Sequence, residues 1–179
     1  MKIHLFMALL ITAMGFVIPA LALDSAQSFV NKAVDGSMFE VGSSRLAEGR
    51  MRAAAVKDFA KSMIADHGSS NANLAAIASR QKLTVPKKLD LKHKTDIELL
   101  QNGKAPVDNA YIQMQLHAHI NAVELFESYA RDGDNAELKA FAQRTLPTLK
   151  IHQETIEKIA GANSSIENQA KERFSEAQR

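Results

Sequence analysis

Phe59-Ala60-Lys61-Ser62-Met63-Ile64-Ala65-Asp66-His67 is the stretch whose reading decides the fold. Val56, Phe59, Ala60 and Met63 recur at helical spacing, and His67 falls one turn after Met63 on the same apolar stripe. Leu74 continues the stripe two turns later, and Asp66 places a carboxylate beside the imidazole. A polar ring on a buried stripe calls for a partner, because an unpaired buried polar group costs roughly 1–3 kcal/mol.

Working outward, the chain offers three more long amphipathic segments. The first helix is expected over about residues 25–48, with Asp24 as its N-cap and Phe29, Ala33, Val34, Val41 and Ala47 on its buried side. Glu40 lies near that side, Gly36 and Gly42 let a neighbouring helix come close, and Gly49 ends the segment. The second helix, over about 52–81, contains the quoted stretch and stops before Pro86. A short connector helix over about 89–101 carries His93 among lysines, where a surface role is the default. The third long helix, over about 107–131, has Asp108 as its cap and an inward stripe of Ile112, Leu116, His119, Val123 and Phe126. The fourth, over about 136–160, is closed by Gly161 and turns Leu138, Phe141, Leu149, His152 and Ile156 inward. Leu146-Pro147 predicts a kink and a freed carbonyl about a turn before His152. Together these segments predict an all-α, ferritin-like antiparallel four-helix bundle, with a short extra helix in the crossover between the second and third long helices.

Composition narrows the function. The 22 Lys+Arg against 20 Asp+Glu leave no basic footprint for nucleic acid, and the absence of cysteine excludes disulfides and thiolate chemistry. Met1-Lys2-Ile3-His4, the apolar run from Leu5 to Ile18 and Pro19-Ala20-Leu21-Ala22 read as a signal peptide over residues 1–22, cleaved after Ala22. Residues 23–161 then form the bundle domain, periplasmic or secreted and without a later membrane span, and 162–179 a polar tail.

Each long helix directs one polar residue inward: Glu40, His67, His119 and His152. If they converge, three imidazoles and a carboxylate complete a shell for a divalent transition metal such as zinc, copper, iron or nickel. Asp66 either adds a fifth ligand or orients an imidazole from behind. Met63 and Met114 lie within about a turn of His67 and His119 and serve as core filler or, for copper, as thioether contacts. The bland alternative is a metal-free polar network in a structural or interaction protein of the cell envelope. Catalysis finds no recognisable motif. Carboxylate-bridged di-iron bundles use Glu-x-x-His, and the positions three before the histidines are Ile64, Leu116 and Leu149. No residue is assigned a catalytic or organic-cofactor role.

Several motifs recur together: Met38-Phe39-Glu40-Val41, Phe59-Ala60-x-x-Met63-x-x-Asp66-His67, Val107-Asp108-Asn109-Ala110-Tyr111-Ile112, His119-x-x-Ala122-Val123-x-Leu125-Phe126 and Leu146-Pro147-x-Leu149-x-x-His152. In this set the chain resembles the exported bacterial domain-of-unknown-function family 4142, often labelled as outer-membrane or ferritin-like proteins, over about residues 28–159. The resemblance implies a ferritin-like bundle, export, and no established activity. It places Glu40, Asp66, His67, His119 and His152 on the family's characteristic polar positions and matches His93 to a common family histidine. Ala118 departs from the pattern, since family members often carry an aspartate there. The outer-membrane label has no counterpart in the residues, which show no alternating strands.

Overall fold

Ser25 opens the first helix, its hydroxyl accepting a hydrogen bond from Ser28 N–H at 3.3 Å. Ser25 is therefore the N-cap in place of Asp24, whose carboxylate is held by Ser28 Oγ at 2.6 Å and Lys32 Nζ at 2.7 Å. The computed structural model describes residues 24–176, so the expected signal peptide lies outside the described residues. These form α1 (Ala26–Ala47), a 3-10 turn at Glu48–Arg50, α2 (Ala54–Arg80), α3 (Leu91–Asn102), α4 (Asp108–Asp132) and α5 (Ala136–Glu176). No strand occurs among them, and α3 is the expected extra helix in the crossover.

Packing gives a four-cornered bundle in which α1 and α5 each contact both α2 and α4. Phe29 stacks on Tyr129 at 4.0 Å between centroids, while Ser44 Oγ meets Tyr111 Oη at 2.7 Å, so α1 and α4 run antiparallel. Arg80 pairs with Glu137 and Asp66 with His152, which sets α2 against α5 in the same sense. The segment between α2 and α4 must then travel the length of the bundle, the single long crossover of a ferritin-like arrangement. It runs along α1. Gln27 makes two hydrogen bonds to the Thr84 backbone at 2.7 and 2.9 Å, and Asp35 accepts from Asp90 N–H at 2.7 Å. Arg50 reaches the carbonyls of Leu100, Gln101 and Gly103 at the C-terminal end of α3, where a cation is favoured. A Cβ on Gly42 would lie 3.6 Å from Ile97 Cδ1, which locates the close passage of α3 over α1.

Two local expectations are revised, those for Asp108 and Gly161, and the end of the second helix is as expected. Asp108 caps α2 and not its own helix: its carboxylate accepts from the N–H groups of Arg52 and Ala53 at 2.9–3.2 Å. This lends an acceptor to the helix end where Ala53 itself has none. Asp108→Ala should cost about 1–2 kcal/mol, the usual penalty for a lost cap, read as a lower urea midpoint. The second helix ends before Pro86, because Lys82 turns the chain at φ 56° and Leu83 N–H bonds back to the Ala78 carbonyl at 2.8 Å. Gly161 does not close the last helix, which continues to Glu176. No described glycine takes a positive φ, so Gly161 is not in the left-handed geometry of a helix stop. Pro147 lies inside α5 on the exposed side, withholding an N–H from the Gln143 carbonyl.

The core is divided. Phe29, Leu74, Ile77, Phe126, Leu138 and Phe141 belong to one apolar cluster at the end where α1 begins. Ala47, Val56, Phe59, Met63, Tyr111 and Ile156 belong to a second at the end where α1 finishes. Between them lie Glu40 and the three inward histidines. Apolar burial on both sides, worth about 1.5–3 kcal/mol per large side chain, fixes the helix register that sets their depth.

Candidate metal centre

His67, His119 and His152 come from α2, α4 and α5 and meet at one level. Their ring centroids are 5.4–5.6 Å apart, and one ring nitrogen of each lies within 4.8 Å of the others. All three are buried, His119 completely. Phe59 closes the side toward the second apolar cluster, edge-on to His119 at 5.7 Å and to His152 at 6.4 Å.

Each imidazole is held from behind through one nitrogen. His67 Nδ1 lies 2.8 Å from Glu40 Oε2, His119 Nδ1 donates to the Gln115 carbonyl at 2.9 Å, and His152 Nε2 lies 2.9 Å from Asp66 Oδ2. The remaining nitrogens, His67 Nε2, His119 Nε2 and His152 Nδ1, are buried and have no hydrogen-bond partner. Three orphaned nitrogens in one place would each cost about 1–3 kcal/mol. An ion that accepts three lone pairs removes that penalty, and a ligating imidazole usually has its other nitrogen tied to a carboxylate or carbonyl. The residues present therefore fit a divalent metal.

The five residues expected from sequence are brought together, but in two layers. The carboxylates of Glu40 and Asp66 do not join the close triangle of ligand atoms; they stand behind His67 and His152. Glu40 Oε2 faces His67, and Oε1 lies 3.7 Å from His119 Nδ1 with no hydrogen bond. Met63 and Met114 pack into the second apolar cluster. His117 is exposed. His93 sits apart, paired with Asp35. A polar layer behind Glu40 was not singled out from sequence. Ser44 Oγ donates to the Glu40 carbonyl at 2.6 Å, Ser43 Oγ lies 3.2 Å from the same oxygen, and Gln115 Nε2 donates to Ser43 Oγ at 2.8 Å. The available signal was spacing: Ser43 and Ser44 come one turn after Glu40, and Gln115 one turn before His119.

Electrostatics separates the rings. Burial pushes the Glu40 carboxyl up, but His67, with His119 and His152, outweighs it and holds the group below the usual carboxylate range. Burial pushes His67 down, yet Glu40 and Asp66 prevail and raise it. In His119 and His152 burial wins, with His67 adding to it, and both are lowered. Glu40 and His67 thus favour each other's charged forms, while burial favours the neutral forms of His119 and His152. The stability consequences have a definite sign. His119 and His152 contribute stability above the ordinary histidine value of 6.5 that is lost on acidification, while the His67 contribution is already complete below it. Glu40 adds a further loss below 4.5. The melting temperature of the metal-free protein should fall as pH drops from 6.5 toward 4, as followed by circular dichroism.

A cavity of about 550 Å³ opens beside the rings, and its lining includes Glu40, His67 and His152 and the apolar Leu74, Phe126 and Leu149. No helix of the described residues is long and apolar enough to cross a membrane.

Comparison with known proteins agrees with this architecture. The family described as "Domain of unknown function (DUF4142)" matches residues 18–159. No curated protein matches the chain. Among solved structures, a DUF305 fragment from Deinococcus radiodurans is similar at 14% identity and a TM-score of 0.64, covering 75% of this chain and 93% of that one. At that identity the likeness is one of fold.

Proposed function

The chain belongs to the DUF4142 family, whose description assigns no activity, and from the geometry of its site we propose that the bundle holds a divalent transition-metal ion between His67, His119 and His152. The observation that carries this reading is the set of three buried, unpartnered ring nitrogens on three separate helices. Glu40, Asp66 and the Gln115 carbonyl act as outer partners that fix the tautomer and aim of each ring. Three nitrogen donors suit zinc, copper or iron.

With three protein ligands, a bound ion would keep a position for an exogenous group, and two of those ligands, His67 and His152, line the cavity. That supports metal handling or stress protection in the cell envelope, a location inferred from the signal-peptide pattern of residues 1–22. Tag-free protein tests the reading. A divalent ion bound only by the folded form should raise the melting midpoint, and a chelator should reverse the rise. A midpoint indifferent to zinc, copper and iron would leave a metal-free polar network that sets helix register.

A further inference from the structure

Of the three groups that brace the imidazoles, one is open to water. The Glu40 side chain behind His67 is 2% exposed, and Gln115, whose carbonyl holds His119, is fully buried. The Asp66 side chain is 49% exposed, while the His152 side chain that it meets at 2.9 Å is 8% exposed. Asp66 therefore makes a polar connection from solvent to a ring whose other nitrogen, Nδ1, is buried and unpartnered in the centre.

The seam around Asp66 is built from short side chains. On α2, Asp66, Ser69, Ser70 and Asn73 fall at i, i+3, i+4 and i+7 and share one face. On α5, Thr145, Thr148 and His152 share a face in the same way. The two faces meet, since Asp66 touches His152 and, at the C-terminal end of α2, Arg80 pairs with Glu137. A surface groove of about 540 Å³ follows the seam as far as Ile77, Arg80 and Phe141. It shares Asp66, Ser70, Thr145 and Thr148 with the cavity beside the rings. None of these four carries a large apolar side chain. Elsewhere the cavity is lined by Leu74, Leu125, Phe126 and Leu149, a poor path for a hydrated divalent ion.

We infer that the α2–α5 seam is the route by which a divalent ion reaches His67, His119 and His152, with Asp66 as the exposed carboxylate that captures it first. The inference rests on the metal reading of the centre. An anion at the mouth of the seam attracts the cation, and side chains as small as serine and threonine leave it room to pass. Glu40, sealed behind His67, is out of reach of an arriving ion.

Stopped-flow uptake of zinc by the tag-free full chain, and chelator extraction from the loaded protein, read the route as a pair of rates. Filling the seam in Ser70→Leu/Thr148→Leu should slow uptake and release by the same factor, about tenfold or more, and leave Kd unchanged. A substitution that only disturbed the fold would change Kd or the melting midpoint instead. Asp66→Asn keeps an acceptor oxygen for His152 and removes the charge. Its uptake should slow severalfold at low salt and approach the wild-type rate at high salt, where the attraction is screened. Asn121→Leu, which lines the cavity from α4 and not the groove, should leave both rates as in wild type. Wild-type rates in Ser70→Leu/Thr148→Leu, or equal slowing by Asn121→Leu, overturn the route while the metal reading stands. Should the double variant fail to fold, Asp66→Asn decides alone, and wild-type uptake at low salt overturns the route. A wild type that binds no zinc, copper or iron overturns both.

Discussion

His119→Ala should abolish metal-dependent stabilisation of this bundle. His119 has no solvent exposure, and its Nε2 has no partner besides the proposed ion. At a free metal concentration a hundredfold above Kd, binding to the folded state contributes about 2.7 kcal/mol. For a domain of this size that is a rise of roughly 5–10 °C in the melting temperature. With two ligands left, the rise should vanish at the same metal concentration. The variant also loses packing in the metal-free state, so the reading that counts is the difference with and without metal. His119→Gln, closer in volume, should lose the shift at a smaller cost to the metal-free protein. An undiminished shift in both variants would place the stabilising ion elsewhere.

Glu40→Ala should damage the metal-free protein more than any change on its surface. The Glu40 and His67 side chains are 2% and 6% exposed and 2.8 Å apart. Removing one partner of such a pair typically costs about 3–5 kcal/mol, because the other charge is left buried alone. His67 can surrender its proton, so the lower end, about 3 kcal/mol, is expected. The same change frees His67 Nδ1 from its orienting acceptor, and metal affinity should fall by about 10–100-fold. Urea denaturation in chelator measures the first effect and zinc titration the second. Glu40→Gln, which retains an acceptor oxygen, should fall between wild type and alanine on both. Loss of stability with unchanged affinity would assign Glu40 to the fold alone.

The bundle was legible in the sequence because its signals are periodic. Val56, Phe59, Met63, His67 and Leu74 mark one face of one helix, and the same spacing repeats around His119 and His152. Helix ends were less legible, since they depend on acceptors that arrive from elsewhere. The carboxylate of Asp108 reaches α2 from the start of α4, a contact that no local pattern encodes. Gly161 carries a stop signal only if it adopts a left-handed conformation, and it does not.

The convergence of five polar residues was readable, but their layering was not. Glu40 was expected among the ligands. Which imidazole nitrogen faces Glu40 depends on ring rotation and on helix depth to within a fraction of a turn, and neither is written in spacing. The Asp35–His93 pair escaped for a related reason. It joins α1 to the crossover across 58 positions of sequence, and His93 among lysines looks like an ordinary surface residue.

Anomalous scattering from a zinc-soaked crystal, measured on both sides of the zinc edge, tests the central claim most directly. The account predicts a peak bounded by His67 Nε2, His119 Nε2 and His152 Nδ1, about 2.0–2.1 Å from each, with Glu40 and Asp66 still on the far sides of their rings. An empty centre at saturating zinc, with the three nitrogens bridged by water, would contradict it.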